Sequence, residues 1–254
     1  MPQPKTVART VNNMAAKTDK ANASPTKDFF VSMLTRDISL PDAILDLVDN
    51  SLDGVLRSGG GDDYGSYWAK IEFDQERFSI VDNCGGLERS IAIKYAFKMG
   101  RDSSDNRDGD VETIGMYGIG MKRAMFKMGR DCRVVTFVGK NDHYQVAMDR
   151  KWMEHQTWQK LPLEQVPKKE RLKEHGTMVT VGDLRPGIAQ TFAEPSFLKE
   201  LMDGLSEHFT MFIQRGFRIT VNGKKIRPAR IELLYDYSEV GVKPYYASCS
   251  VGET

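Results

Sequence analysis

Four short motifs follow one another along the chain, and their order constrains the fold more than any other feature of the sequence. They are ILDLVDNSLDG (44–54), IVDNCGGL (80–87), IGMYGIGMK (114–122) and HGTMVTV (175–181). Periodicity places the first motif on a helix, the second at the end of a strand, the third at the start of a helix and the fourth on a strand. Each motif carries polar residues or glycines at or near the end of a predictable element, where they can converge on one site.

Hydrophobic spacing and turn signals predict the rest of the chain. Helices are predicted over 38–55, 87–99, 122–129 and 197–213, strands over 68–73, 77–82, 133–138, 143–148 and 175–184, and a hairpin over 217–226. Two polar segments interrupt this pattern. The segment 101–113 is expected to be a functional lid or a disordered loop, and 160–174 is expected to be a surface excursion.

Composition excludes several classes of protein. The net charge is +1, so the charge balance does not favour nucleic acid or a membrane as the partner. The cysteines Cys84, Cys132 and Cys249 are odd in number and scattered, with neither metal-ligand spacing nor a disulfide framework. No apolar run approaches the roughly 20 residues of a membrane span. We therefore expect a globular protein of a reducing compartment, cytoplasmic or, in a eukaryote, nuclear.

The first predicted helix carries polar side chains on one face. Its acidic and amide residues fall within about 100° of arc opposite the apolar stripe; they are Asp42, Asp46, Asp49, Asn50 and Asp53. A solvated face is one interpretation. The face has no Lys or Arg, however, and its like-charge i,i+4 pairs each destabilise a helix by roughly 0.2–0.5 kcal/mol. The pattern favours a cation site in which Asn50 offers its carbonyl oxygen to Mg²⁺ and Asp46 holds or deprotonates a water.

Asp82 ends an apolar strand and is followed by Gly85 and Gly86. A carboxylate in that position is expected to be partly buried and to need a hydrogen-bond donor. The exocyclic amine of adenine is such a donor where guanine has an acceptor, and a bond of this kind is worth about 1.5–3 kcal/mol. Alternatively, Asp82 caps the following helix. Thr177 is either an ordinary strand residue or a hydroxyl that binds a water beside Asp82.

The glycines Gly115, Gly118 and Gly120 precede a predicted helix. Backbone N–H groups in such a segment can turn towards phosphate oxygens, although a flexible hinge is an alternative. Lys122 can then reach the terminal phosphates as a point charge. A basic cluster begins at this lysine and could contact nucleic acid; it comprises Lys122, Arg123, Lys127, Arg130 and Arg133. Helical periodicity favours a solvated face for the last three.

The four motifs in this order resemble the GHKL superfamily of gyrase, heat-shock chaperone, histidine kinase and MutL ATPases, over residues 38–184. Within that group, LVDNSLDG, YAFKMGR and YGIGMKRAMFKMG resemble the microrchidia (MORC) branch and its bacterial relatives, some of them in anti-phage defence operons. The resemblance implies a Bergerat fold, an α+β two-layer sandwich of a mixed β-sheet with helices on one face. The polar, basic composition of residues 1–27 predicts a disordered arm. The resemblance implies an ATP-binding domain over 28–194 and a connecting helix with the start of a truncated transducer-like region over 195–254.

The resemblance also implies roles for individual residues. Asp46 and Lys122 would be catalytic, and Asn50 would hold Mg²⁺. The residues implied to bind ATP are Asn50, Asp53, Asp82, Gly86, Leu87, Gly115, Tyr117, Gly118, Ile119, Gly120, Met121 and Thr177. Two positions depart from the family pattern. Asp46 stands where a glutamate base is usual, which bears on hydrolysis, and Cys84 stands where the first glycine box has a glycine.

The function implied is Mg²⁺-dependent binding and slow hydrolysis of ATP. Lid closure and ATP-driven homodimerisation would act as a switch for a larger protein, MORC-like or of anti-phage defence, with a partner protein or DNA bound through downstream regions. Two alternatives remain open. One is a nucleotide-sensing module with little turnover, and the other is a histidine-kinase-type phosphotransfer domain. The histidines His143, His155, His175 and His208 show no dimerisation-helix pattern.

Overall fold

A computed structural model describes residues 23, 25–57, 63–99, 119–155 and 157–230. The predicted lid, most of the predicted arm and residues 231–254 lie outside these ranges. So do three of the predicted ATP-binding residues of the glycine box, namely Gly115, Tyr117 and Gly118.

Eight strands in the described ranges form one mixed sheet in the order β5-β4-β3-β6-β2-β1-β7-β8. The strands are β1 (Trp68–Phe73), β2 (Phe78–Asp82), β3 (Gly129–Val138), β4 (Asp142–Met148), β5 (Glu164–Gln165), β6 (Gly176–Leu184), β7 (Arg218–Val221) and β8 (Lys224–Lys225). Neighbouring strands are antiparallel except β1 and β7, which pair in parallel. The strands that carry the second and fourth motifs, β2 and β6, are therefore direct neighbours.

The helices are numbered in the order in which they occur along the chain. They are α1 (Lys27–Arg36), α2 (Leu40–Arg57), α3 (Arg89–Ile91) with a π-helical turn (Ala92–Ala96), α4 (Gly120–Met128), α5 (Arg150–Glu154), α6 (Pro186–Ala193), α7 (Pro195–His208) and α8 (Thr210–Gln214). A short 3₁₀ turn spans Lys168–Glu170. The sheet and helices form the mixed α+β architecture expected of the Bergerat fold, so the predicted fold class is confirmed.

Helix α2 packs on the sheet because its sequence is capped and amphipathic. The Ser39 hydroxyl accepts a hydrogen bond from the Asp42 backbone N–H at 3.1 Å, which caps the start of α2, and it donates to the Asp42 carboxylate at 2.7 Å. The apolar stripe of α2, which includes Ile44, Val48 and Leu52, is completely buried. Along β1 the burial alternates, so one face of that strand joins the core.

Several sequence predictions are confirmed element by element. The β1–β2 hairpin, the β3–β4 pair and the β7–β8 hairpin all form as predicted. At the tip of the last hairpin, Asn222 and Gly223 adopt positive φ of 45° and 75°. This pair of residues with positive φ is what a two-residue hairpin turn requires.

Two predicted helices are wrong in extent. The helix predicted over 87–99 is reduced to α3 and its π turn. Leu87 cannot join it because its backbone N–H donates to the Thr136 hydroxyl at 2.8 Å and its carbonyl accepts from the Tyr144 hydroxyl at 2.6 Å. The helix predicted over 197–213 is split into α7 and α8. Phe209 interrupts it with φ −102° and ψ 15°, and its side chain is completely buried.

Other elements were not predicted from the sequence. Helices α1, α5 and α6 had no assignment. The predicted surface excursion 160–174 is largely exposed, and it also contributes strand β5 and the buried side chain of Val166. In the parts of the chain that the structure describes, no helix has the length and hydropathy needed to cross a membrane.

Candidate functional site

Asp82 is the most completely fixed polar side chain of the predicted site. It is buried at the end of β2, and three donors of the chain reach its carboxylate. Oδ1 accepts from the backbone N–H groups of Cys84 at 2.9 Å and Thr177 at 3.1 Å, and Oδ2 accepts from the Ser51 hydroxyl at 2.9 Å. Burial raises the pKa of Asp82, while these three hydrogen bonds oppose that rise. The carboxylate is thus held in place by α2, the following turn and β6.

Close backbone contacts bring these three elements together. A Cβ atom at Gly54 of α2 would lie 2.3 Å from the Cys84 carbonyl oxygen, and one at Gly176 of β6 would lie 2.0 Å from the Asp82 carbonyl oxygen. Real Cβ atoms do not approach so closely, so the helix and strand can meet the turn only because both positions are glycine. The first motif ends at Gly54, and Gly176 is the second residue of the fourth motif.

The turn after Asp82 packs against strand β3. Gly86 has φ of 75°, and a Cβ atom there would lie 2.4 Å from the Phe137 carbonyl oxygen. The next residue, Leu87, is fixed to the Thr136 hydroxyl, which also donates to the Gly176 carbonyl oxygen at 3.2 Å. Cys84, where the family pattern has a glycine, is almost completely buried behind this turn. The cysteine is therefore accommodated as a small core residue.

The acidic face of α2 is not a uniform solvated face. Its carboxylates meet basic side chains from other helices: Asp46 pairs with Arg123 of α4 at 2.8 Å, and Asp49 lies 3.7 Å from the imidazole Nε2 of His208 of α7. Asp53 is buried. The absence of Lys and Arg within the face, noted in the sequence, is thus offset by residues distant in the chain.

Asn50 and Asp46 are linked to each other. The Asn50 amide nitrogen donates to the Asp46 backbone carbonyl oxygen one turn earlier in α2. This bond uses one of the two amide N–H donors and leaves the carbonyl oxygen Oδ1 as an acceptor, the type of ligand that Mg²⁺ prefers. The residue therefore fits the metal role that the motif implies.

The start of α4 lies against Asp46. A Cβ atom at Gly120 would be 3.5 Å from Asp46 Oδ2, and the Ile119 carbonyl oxygen accepts from the Arg123 N–H at 2.8 Å in the first turn. Met121 is half-buried beside them. The described end of the glycine box therefore meets α2 one turn before Asn50, which brings the first and third motifs together.

Lys122 differs from the other predicted residues. Its side chain is almost completely buried, and its Nζ donates to the Ala96 carbonyl oxygen at 2.6 Å, at the end of the π turn. The lysine thus ties α4 to the segment that precedes the predicted lid. A contact between Lys122 and phosphate remains a prediction.

Sequence reasoning missed three residues on which the site depends, namely Ser51, Thr136 and Gly54. Ser51 and Gly54 lie within the first motif, so a search for buried small residues on the helix could have found them. Thr136 lies in no motif. Its role follows from the pairing of β3 with β6, in which Thr136 stands opposite Thr177.

Residues 38–177, more than half of the chain, match the family model described as histidine kinase-, DNA gyrase B- and HSP90-like ATPase. The chain belongs to this family. A search of curated proteins found no match. The matched range contains the first three motifs and the fourth as far as Thr177, and it includes Asn50, Asp82 and the start of α4.

Proposed function

We propose that the chain binds Mg·ATP and hydrolyses it slowly, and that lid closure with ATP-driven homodimerisation acts as a switch for a larger protein. The observation that carries this proposal is the carboxylate of Asp82, which is buried, fixed by three donors and still able to accept another hydrogen bond. A carboxylate has about four acceptor positions. Oδ2 receives only the Ser51 hydroxyl among the hydrogen bonds of the described residues, so an adenine amine can be its second donor.

Asn50 would supply one oxygen to Mg²⁺. In the described ranges, no group of three or more His, Cys, Asp or Glu side chains could hold a metal ion by itself. A magnesium ion here would therefore take most of its ligands from nucleotide phosphates and water, as Mg²⁺ commonly does. When bound, Mg·ATP supplies a terminal phosphoryl group whose charge the metal partly neutralises.

Asp46 would accept a proton from the attacking water. Its Oδ2 is oriented by Arg123, and its position one turn before Asn50 is that of the family's general base. The side chain is one methylene shorter than the usual glutamate, which is why we expect slow turnover. Lys122 and the N–H groups of the glycine box would bind the phosphates.

The test is phosphate release from Mg·ATP by the wild type and by Asp46→Ala, with ATP affinity measured beside it. We expect Asp46→Ala to lose turnover and to keep nucleotide binding. Asp82→Asn should lose binding itself, because the amide places a donor where the adenine amine needs an acceptor. Wild-type protein that binds no ATP at millimolar nucleotide would disprove the proposal.

A nucleotide sensor with little turnover is the second candidate. The ion pair between Asp46 and Arg123 favours it, because a carboxylate oxygen that accepts from a guanidinium is less available to a water. If a short, paired base limits the rate, Asp46→Glu should raise turnover and Arg123→Gln should raise it further. Unchanged turnover in both variants would count against this candidate.

The motif resemblance supports a MORC-like or defence role, in which a partner protein or DNA would be bound through other regions. Dimerisation can be tested on the chain itself. Sedimentation with a non-hydrolysable ATP analogue should show a dimer, and the same protein with ADP should remain monomeric. A monomer under both conditions would remove dimerisation from the proposal.

A further inference from the structure

A cavity of about 840 Å³ lies away from the nucleotide site, between α1, the end of α4, α5 and the start of α6. Four basic side chains line it, contributed by four different parts of the chain; they are Lys127, Arg130, Arg150 and Arg185. Helix α4 separates the two sites. Its first residue contacts Asp46, and its far end reaches the cavity about 12 Å away at 1.5 Å per residue.

Two of these cations are fixed by helix ends. Lys127 donates from Nζ to the Thr35 carbonyl oxygen in the last turn of α1 at 3.2 Å, and Arg185 donates from Nε to the Phe126 carbonyl oxygen in α4 at 3.0 Å. Such contacts with the last carbonyls of a helix are favourable in themselves. They use one donor of each side chain and leave two on the lysine and four on the arginine.

The other two cations differ in how far their charge is compensated. Arg150 forms an ion pair with Asp183 at 2.7 Å, and Glu154 is 3.9 Å away. Within the described residues, Arg130 has neither a hydrogen bond nor an ion pair. Several N–H donors of these side chains are therefore not used in hydrogen bonds. Protein surfaces more commonly intersperse cations with acidic side chains.

The four cations outnumber the acids around them. Burial lowers the pKa of Arg185, and the nearby charge of Arg130 lowers it further, while Asp28 and Asp183 oppose this shift. Two carboxylates, Asp28 and Glu154, line the cavity, and a third, Asp183, pairs with Arg150. The net charge of the cavity is therefore positive although the chain as a whole is nearly neutral. An anion placed among the guanidinium groups would relieve this repulsion.

The cavity has two further features of a ligand site. The eight-residue helix α6 begins at Pro186, and Gly187 in its first turn lines the cavity, so the positive end of the helix dipole adds to the field. Apolar side chains from α1, α5 and α6 form another part of the wall; they are Val31, Met153 and Ile188. The volume lies within the 300–1,000 Å³ typical of small-molecule sites.

We propose that this cavity is a second ligand site, distinct from the nucleotide site, for a small phosphorylated organic molecule. The guanidinium groups of Arg130 and Arg185 bind its phosphates, and the apolar wall contacts its remainder. Guanidinium groups match phosphate oxygens in geometry as well as in charge. A small ligand fits better than a nucleic acid duplex because the cations line a concave cavity rather than a broad surface strip.

The test is calorimetric titration with inorganic pyrophosphate in magnesium-free buffer. We expect the wild type to bind pyrophosphate, and Arg130→Gln to weaken binding about tenfold, the loss expected for one charge-assisted contact. Arg130 has no partner among the described residues, so the variant should fold normally. Lys127→Gln, which removes a second cation, should weaken binding by a similar factor.

Arg227→Gln is the matched control, because it removes an exposed guanidinium outside the cavity and should change affinity less than twofold. Excess ATP should not displace pyrophosphate. Absence of binding at millimolar pyrophosphate, equal weakening by Arg227→Gln, or displacement by ATP would each overturn the proposal. A short DNA duplex that binds better than pyrophosphate and is lost with Arg130→Gln would assign this face to nucleic acid instead.

Discussion

The hydroxyl of Ser51 and the carboxylate of Asp82 lie 2.9 Å apart although 31 positions separate them in the sequence. Ser51 follows Asn50 directly on α2. The hydrogen bond therefore fixes the helix that carries the proposed metal ligand to the strand end that carries the proposed base-reading carboxylate. Two functions that the sequence presents as separate motifs are joined by one buried contact.

Ser51→Ala should weaken both the fold and nucleotide binding. The variant removes one of three donors from a buried carboxylate, a loss worth about 1–3 kcal/mol of unfolding free energy. We expect ATP affinity to fall several-fold because Asp82 becomes less well oriented. Urea unfolding and calorimetric titration measure the two effects. Ser79→Ala is the control, since its hydroxyl makes only an exposed contact with the Glu72 carbonyl oxygen at 3.4 Å and should change little.

Substitution by alanine at two helical glycines should change the stability of the protein in opposite directions. At Gly54 the new methyl group would meet the Cys84 carbonyl oxygen at 2.3 Å, so Gly54→Ala should displace the turn and destabilise the protein by about 1–3 kcal/mol. At Gly204 on α7 an added Cβ atom would meet no other part of the described structure within 4 Å, so Gly204→Ala should stabilise the protein by about 0.5–1 kcal/mol. Thermal unfolding measures both. Equal effects would contradict the close contact at Gly54.

Asp49 should make stability depend on pH. Burial raises its pKa from 3.8 to about 6, with Asp46 and Asp53 adding to the rise and His208 opposing it. Because the folded state binds this proton more tightly than the unfolded state, the Asp49 contribution to stability falls as pH rises between these two values. Asp49→Asn replaces this partly buried carboxylate by a neutral amide, so no charge has to be buried at the position. It should therefore be more stable than the wild type at neutral pH, by about 1 kcal/mol after allowance for partial exposure.

The difference between Asp49→Asn and the wild type should vanish in acid, near pH 4, where folded wild-type protein already carries the proton. Urea unfolding at several pH values measures it. Asp203→Asn, at an exposed position on α7, should show no such pH-dependent gain. A stability difference that stayed constant with pH would rule out the titration of Asp49 as its cause.

Two cysteines should resist alkylation while the protein is folded. Burial raises the pKa of Cys132 to about 12 and holds the pKa of Cys84 well above its usual range, with Asp82 adding to the effect at Cys84. The thiolate is the reactive form, and both thiols are also sterically shielded. Mass spectrometry after iodoacetamide treatment should find both unmodified in buffer and modified in urea. Rapid labelling of Cys84 in buffer would indicate that the turn after Asp82 opens.

Elements with a strong local pattern could be predicted from the sequence. Helix α2 has a cap and an apolar stripe, and the hairpin at Asn222 and Gly223 has the residues that its turn requires. Boundaries set by distant contacts could not be predicted. Leu87 leaves the helical pattern because Thr136 and Tyr144 bind its backbone, and no local signal marks those partners.

The same distinction applies to the site. Asp82 could be selected because a carboxylate between an apolar strand and two glycines is conspicuous. Ser51 and Gly54 could be interpreted only once β2 was known to end against α2, since serine and glycine on a helix have many ordinary explanations. Arg123 appeared in the sequence as a member of a basic cluster. Its partner, Asp46, depends on how α4 crosses α2.

The parallel pairing of β1 with β7, in which Trp68 stands opposite Arg218, has a consequence for synthesis of the chain. Until the ribosome has made β7, one edge of β1 has no neighbour, and an open strand edge is a template for pairing with other chains. At roughly 5–20 residues per second this interval lasts about 8–30 s. Pairing over such a sequence separation also slows folding. The edge of β1 is therefore the part of the sheet at which a nascent chain is open to pairing with other chains until β7 arrives.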